Sequence, residues 1–266
     1  MMFTQYFGMK FNPFSKEIPS DNLYESNDFK ELESRLKYLQ KTRGIGLVIG
    51  EPGTGKSTAL RRYVSSLNRS LYKPCYMALS TLTVMDFYHS LAQMLGEVPA
   101  HRKIKMFNQI QDAINSLYYD QKITPILIMD EIHMATSGIL EDLRLLLNFR
   151  MDSANPYILI LCGQPPIRNR LAMNANLPLR QRISVRYMMK GLNKGEVPEY
   201  IKTRLKAAGT REDIFLPETM KLIHANTGGF TRPINNLATA SLMYAASVKK
   251  DYVDEEVIFQ AQKELN

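Results

Sequence analysis

Residues 50 to 57 read Gly50-Glu51-Pro52-Gly53-Thr54-Gly55-Lys56-Ser57, and no other stretch restricts the fold as tightly. The run fits G-x-x-x-x-G-K-[ST] at every fixed position. Such a loop cradles phosphates when a strand delivers it and a helix follows it. The turn's N–H groups and the positive end of the helix then face one point. Both conditions are met: Gly46 to Ile49 is a short apolar run, and Lys56 to Leu67 has helical spacing. The glycines let the backbone turn inward. Lys56 would neutralise the β- and γ-phosphates, and Ser57 would offer its hydroxyl to Mg²⁺. Gly50 to Ser57, with Thr58 directly after, form the candidate ATP-binding set.

A second pattern lies downstream. Ile126-Leu127-Ile128-Met129 ends in Asp130 and Glu131, two carboxylates at the tip of a strand. In an open parallel sheet that tip faces the ligand crevice. Asp130 would hold the Mg²⁺ through water, and Glu131 would orient and polarise an attacking water. His133 invites an acid or base role, but the ordinary reading is a surface histidine.

Strand-like and helix-like segments alternate through this region. Strands are expected at Cys75 to Leu79, Pro125 to Asp130, Tyr157 to Cys162 and Val185 to Met188. Helices are expected at Asp28 to Lys41, Val84 to Leu95, Met106 to Tyr119 and Ile139 to Asn148. Alternation of this kind predicts a parallel sheet covered on both faces. From Lys194 onward only helical patterns remain. The expected organisation is an aromatic and Pro-rich arm over 1–22 (including Pro13 and Pro19) packed on the main domain, an α/β domain over 23–192, and a small all-helical lid over 193–266.

The chain has 266 residues and a formal net charge of +8. That surplus raises the odds of a polyanionic partner without identifying one. Cys75 and Cys162 are the only cysteines, too few for a zinc site or disulfide framework, and both are expected to be buried thiols. No apolar run reaches the length of a membrane span, and the first residues lack a signal-peptide pattern. A cytoplasmic protein with no membrane partner is expected.

Taken together, these motifs resemble the AAA+ ATPases, P-loop NTPases with a parallel sheet and a helical lid. Within them the chain is similar to the ExeA-like group, which includes the TnsC-like target-selection ATPases of transposition. The arm Tyr6-Phe7-Gly8-Met9-Lys10-Phe11-Asn12-Pro13-Phe14 carries the resemblance, with the two motifs above and three later pieces. Gln164, in Leu161-Cys162-Gly163-Gln164-Pro165, stands at the family's sensor 1 position. Arg182 and Arg180, in Leu179-Arg180-Gln181-Arg182-Ile183, resemble its arginine-finger segment, with Arg182 preferred. Arg232, in Gly228-Gly229-Phe230-Thr231-Arg232-Pro233-Ile234-Asn235, resembles sensor 2. Thr231 departs from the family's proline there.

The resemblance implies an ATP- and Mg²⁺-dependent switch that forms a homo-oligomer, ring or helical filament, on duplex DNA and activates a DDE-type transposase. Arg102, Lys103 and Lys105, between two helices, are candidate DNA phosphate contacts. The alternatives are a secretion-assembly ATPase of the ExeA type and a protein remodeller without DNA. The secretion reading expects a membrane span and a peptidoglycan-binding segment, for which these 266 residues show no pattern.

Overall fold

The computed structural model describes residues 2–15, 23–151 and 153–265. Two compact units emerge. One comprises Leu32–Glu51 and Lys56–Met189; the other comprises Met1–Glu31, Pro52–Gly55 and Lys190–Asn266.

The first unit is built on five strands: β1 (Gly44–Gly50), β2 (Tyr72–Ala78), β3 (Thr124–Asp130), β4 (Ile158–Gly163) and β5 (Ile183–Met189). Their order is β2-β3-β4-β1-β5, and every pairing is parallel. β1 and β4 are buried along their whole length, as central strands covered on both faces must be. β2 lies at an edge, which explains how it tolerates Pro74: an edge strand can lose one ladder donor. The register aligns Ile49 with Gly163, and Met129 with Leu161. Gly50, Gln164 and the Asp130-Glu131 pair therefore emerge along one carboxyl edge of the sheet.

Helices α2 (Asn27–Thr42), α3 (Lys56–Ser66), α4 (Val84–Leu95), α5 (Lys103–Asn115) and α6 (Ser137–Leu146) follow the expected pattern. Thr83 caps α4 through a reciprocal bond with Asp86, the arrangement that satisfies two orphan donors at once. Leu39 of α2 packs onto Gly46 so closely that a Cβ there would fall 2.7 Å from Leu39 Cδ2. Cys75 and Cys162 are buried free thiols, as expected.

Besides small shifts in strand ends, two helical segments of this unit differ from the sequence expectation. α5 begins three residues earlier than its apolar spacing suggests, so Lys103, Ile104 and Lys105 form its first turn rather than an open loop. The segment between β4 and β5 contains two short helices, α7 (Ile167–Ala172) and α8 (Leu177–Arg182). Pro165, Pro166 and Pro178 stand before or within their first turns, where a missing N–H costs little.

The second unit is helical: α9 (Glu196–Ala207), α10 (Pro217–Thr227), α11 (Thr231–Ser247) and α12 (Glu255–Leu265). Its core includes Ile201, Leu205, Ile223, Ile234, Leu237 and Val257. The described part of the aromatic arm packs into this helical core, where the sequence expectation had it on the main domain. Phe3–Tyr6 forms a short helix α1, and Met9 and Phe14 are buried among the C-terminal helices. Hydrogen bonds fix the arm: Lys10 N–H donates to Ala208 O at 2.9 Å, and Arg204 donates to Ser15 O at 2.8 Å. The rest of the predicted arm, including Pro19, lies outside the described residues.

The linker into α9 crosses the start of α11 backbone against backbone. Leu192 N–H donates to Gly229 O at 2.8 Å. A Cβ on Gly229 would sit 2.0 Å from Leu192 O, and one on Gly191 would sit 2.8 Å from Gly229 O. Asp28 Oδ2 accepts the N–H groups of Lys190 and Gly191 on the same linker. Among the described residues, no helix is long and apolar enough to cross a membrane.

Candidate nucleotide site

The loop Gly50–Ser57 begins where β1 ends and finishes in the first turn of α3. Gly53 and Gly55 have φ of +86° and +95°, a region that L side chains rarely adopt. Gly53 is doubly constrained, because a Cβ there would also meet Arg232 Cβ at 2.9 Å. Thr54 is buried and Thr58 half-buried, while Glu51, Pro52 and Ser57 are exposed. Lys56 is buried, and its Nζ donates to Gly50 O at 2.7 Å and to Glu51 O at 3.0 Å. An ammonium has three donors. Two are held by the loop's own carbonyls, which fixes the charge at the mouth of the loop beside the unpaired N–H groups of α3's first turn.

Asp130 closes β3 and is 5% exposed. Its Oδ1 accepts Glu131 N–H at 2.9 Å, and its Oδ2 accepts the Tyr76 hydroxyl at 3.0 Å. Desolvation first, and then the Asp130 charge and hydrogen bond, push the Tyr76 phenol up to about 12. The buried Cys162 thiol senses three of the motif residues at once, Asp130, Lys56 and Glu131. Burial raises its pKa most, Asp130 raises it further, and Lys56 pulls it the other way. Lys56 and Asp130 thus act electrostatically on the same buried point.

Glu131 adopts φ 54°, ψ 34°, a left-handed conformation that costs a non-glycine residue of order 1 kcal/mol. Its half-exposed side chain places Oε2 3.3 Å from His133 Nδ1. His133 is not a surface histidine: its side chain is 12% exposed. The turn that carries it packs on Gly163, where a Cβ would fall 2.9 Å from Ile132 Cγ2. Gln164, the residue after β4, donates its N–H to His133 Nδ1 at 3.4 Å.

The two candidate finger residues differ. Arg182 is half-buried, and its Nη1 donates to Arg144 O at 3.0 Å, near the carboxyl end of α6. A cation is well placed there. Arg180 is exposed. The preference for Arg182 therefore meets a physical objection, since its guanidinium already serves its own subunit.

In the helical unit, Arg232 is exposed in the first turn of α11. Its neighbour Thr231 donates both its N–H and its hydroxyl to Gly53 O, at 2.8 and 2.7 Å. Arg232 is thereby set against the tip of the Gly50–Ser57 loop. The basic trio is not uniform either. Lys103 Nζ lies 2.7 Å from the buried carboxylate of Asp142 and 5.5 Å above the Tyr88 ring. Arg102 and Lys105 are exposed.

Tyr76 and the Thr231 bond were not foreseen as site features. Tyr76 faces Ile128 in the β2–β3 register. Strand alternation then puts it on the face of Asp130, two residues on. The signal exists, but only once the register is known.

Residues 39–171, half of the chain, match the AAA domain family. General secretion pathway protein A of Aeromonas hydrophila is 32% identical over 248 residues, or 92% of this chain. The chain spans 45% of that protein's length. Cdc6p of Pyrobaculum aerophilum superposes with a TM-score of 0.71 at 17% identity, over 95% of this chain and 70% of that one. The Thermotoga maritima RuvB Holliday junction branch migration motor gives 0.63 at 18%, over 96% and 74%. Drosophila ORC bound to DNA gives 0.69 at 15%, over 100% and 66%. At such identities these structures are similar in fold.

Proposed function

The chain belongs to the AAA domain family of nucleotide-hydrolysing ATPases, and from that premise we propose that it binds ATP with Mg²⁺ at Gly50–Thr58 and hydrolyses it as a conformational switch. One observation carries the reading. The glycine-rich loop carrying Lys56 follows β1, and the Asp130-Glu131 pair ends β3, with β4 between them in the same parallel sheet.

Lys56 would transfer its donors from the carbonyls of Gly50 and Glu51 to phosphate oxygens. Among the described residues, no cluster of three or more His, Cys, Asp or Glu could hold a metal ion. One hydroxyl, Ser57, and one carboxylate, Asp130, fit Mg²⁺, which takes one or two protein oxygens and fills its shell with water and phosphate. Ser57, and through water Asp130, which Tyr76 and Glu131 N–H orient, would hold it. When bound, Mg²⁺ neutralises charge on the phosphates. Glu131 accepts a proton from the attacking water as its oxygen bonds to the γ-phosphorus and the bridge to ADP breaks. Gln164 orients that water, and Arg232 offsets phosphate charge. In a homo-oligomer, Arg180 reaches the nucleotide of the next subunit as the finger, with Arg182 the second choice.

The test is phosphate release by wild type, Lys56→Ala and Glu131→Gln. Lys56→Ala should lose nucleotide binding, and Glu131→Gln should bind without turnover. Wild-type hydrolysis by Lys56→Ala would remove the reading.

Two clients are proposed for the switch. The relationship to General secretion pathway protein A supports a role in assembling a secretion apparatus. The +8 charge supports the second reading, an oligomer on duplex DNA that regulates a DDE-type transposase. Stimulation of hydrolysis by duplex DNA would select the second, and indifference to DNA at low salt would select the first.

A further inference from the structure

We propose that the amino edge of the sheet, opposite the carboxyl edge that carries Gly50 and Asp130, is a docking surface for an acidic segment of a partner protein, held by Arg43, Lys122 and Arg150. This surface adds to the ATPase reading and does not depend on it.

Three cations meet there because three adjacent strands begin there. Arg43 immediately precedes β1, Lys122 comes two residues before β3, and Arg150 lies in the turn ahead of β4. The sheet order sets β3, β4 and β1 side by side and parallel, so their starts share one edge. At about 4.8 Å between strands, the row is about 10 Å wide.

All three cations converge on one pair of phenols. Tyr118 and Tyr119 stand edge to face, with ring centroids 4.9 Å apart. Arg43 donates to the Tyr118 hydroxyl. The Arg150 guanidinium carbon lies 4.3 Å from the Tyr119 ring centroid, and Lys122 Nζ donates to Tyr119 O at 2.7 Å. Hydroxyl, ring and carbonyl hold the cations in place but leave their charge unpaired. Asp120 follows Tyr119 in the chain and, with Asp112, lines a cavity of about 430 Å³ beside Arg150. Among the described residues, neither carboxylate forms an ion pair with any of the three cations.

The backbone carries a cost at the same places. Arg43, Lys122 and Arg150 have φ of 59°, 60° and 48°, and Met151 has 53°. Such left-handed values cost a non-glycine residue about 1 kcal/mol. Gathering three like charges on strained backbone does nothing for the fold, whereas an anion bound across them would offset it.

The neighbours decide which anion. Leu71, directly before β2 on the same edge, is 50% exposed, and Met151 is 97% exposed. A phosphate backbone offers nothing apolar to either. A protein segment with Asp or Glu among apolar residues complements both, and its carboxylates match the forked N–H groups of arginine.

The test is the fluorescence anisotropy of a labelled peptide of mixed Glu and Leu, about eight residues long and so able to cross the row when extended. A control peptide has Gln for every Glu. The protein is the whole 266-residue chain, at low salt and without nucleotide, so failure of the ATPase reading would not affect the result. Asn replaces Lys122 and Arg150 because it tolerates left-handed backbone while removing the charge. We expect the Glu peptide to bind wild type and the Gln peptide not to bind. The Lys122→Asn/Arg150→Asn variant should bind the Glu peptide at least about tenfold more weakly, as loss of two charge-assisted contacts implies. Its ATP hydrolysis should be unchanged, and Arg102→Ala/Lys105→Ala should bind the peptide as wild type does. Reversing both charges, with Lys122→Glu and Arg150→Glu, should transfer the preference to a peptide of Lys and Leu. No binding of the Glu peptide by wild type, equal binding of the Gln peptide, or undiminished binding in the Asn variant overturns the proposal. A labelled DNA duplex that loses affinity in the Asn variant while the Glu peptide does not would overturn it as well, and would give the row to DNA.

Discussion

Thr231 donates twice to one oxygen: its N–H and its hydroxyl both reach Gly53 O, at 2.8 and 2.7 Å. The position that departs from the family's proline is therefore a clamp on the tip of the phosphate loop. Thr231→Val should keep the shape and the backbone bond but lose the hydroxyl bond. A net loss of about 1 kcal/mol corresponds to roughly fivefold weaker nucleotide binding. Thr231→Pro should lose both bonds and bind more weakly still, although α11 tolerates proline in its first turn. Thr231→Ser should match wild type. Titration with a fluorescent ATP analogue checks the series, and equal affinities across it would show that the clamp does not act on the nucleotide.

Tyr76→Phe removes one of the two groups that orient Asp130. We expect the Mg²⁺ concentration for half-maximal hydrolysis to rise several-fold, with ATP affinity little changed. The Tyr76 phenol is pushed up to about 12, so it stays protonated, and a donor, throughout pH 6 to 9. The defect should therefore be constant across that range. A defect that disappears toward alkaline pH would mean that the hydroxyl is not acting as a donor.

Arg180 and Arg182 can be separated by mixing. Arg180→Ala subunits keep a working phosphate loop, and Lys56→Ala subunits keep a working finger. Mixed assemblies should recover hydrolysis that neither variant shows alone. Arg182→Ala should instead lower stability, since its bond to Arg144 O is lost. Rescue of Arg182→Ala by mixing, with no rescue of Arg180→Ala, would reverse the assignment.

Lys103 should behave as a structural residue. Lys103→Ala leaves the buried Asp142 carboxylate without its cation. The expected cost is about 1 to 2 kcal/mol, between exposed and buried pairs, read as a lower urea midpoint. Replacing Arg102 and Lys105 by Ala should leave that midpoint unchanged. If DNA is the partner, this double variant should reduce the slope of log affinity against log salt by about 2. An unchanged midpoint in Lys103→Ala would return Lys103 to the surface cluster.

The legible parts of the fold were those written as local pattern. The loop glycines, Lys56 and the apolar runs of β3 and β4 all act within a few residues. What stayed hidden depends on register or on distant backbone. Tyr76 reaches Asp130 only because β2 pairs with β3 at one particular offset. The bond that holds Arg182 left no trace in the sequence because the carbonyl that accepts it belongs to Arg144, 38 residues earlier. The aromatic arm showed its hydrophobicity plainly, yet nothing in its order of residues says which core will accept Met9 and Phe14. His133 looked ordinary because the partner that distinguishes it, Gln164 N–H, is a backbone group and leaves no mark on side-chain chemistry.

The crossing of Gly191 and Leu192 over Gly229 bears on how this protein can diversify. Elsewhere, a drifting side chain can be offset by a neighbour that shrinks or changes rotamer. Here main chain faces main chain, with Leu192 O 2.0 Å from where a Gly229 Cβ would be, and there is no side chain to trim. A saturation library at Gly229 should return glycine almost alone, while Ile201 or Leu237 in the same unit accept other apolar residues of similar volume. The exposed surfaces of these helices can take new side chains freely, but the place where the linker passes the start of α11 has no room for one.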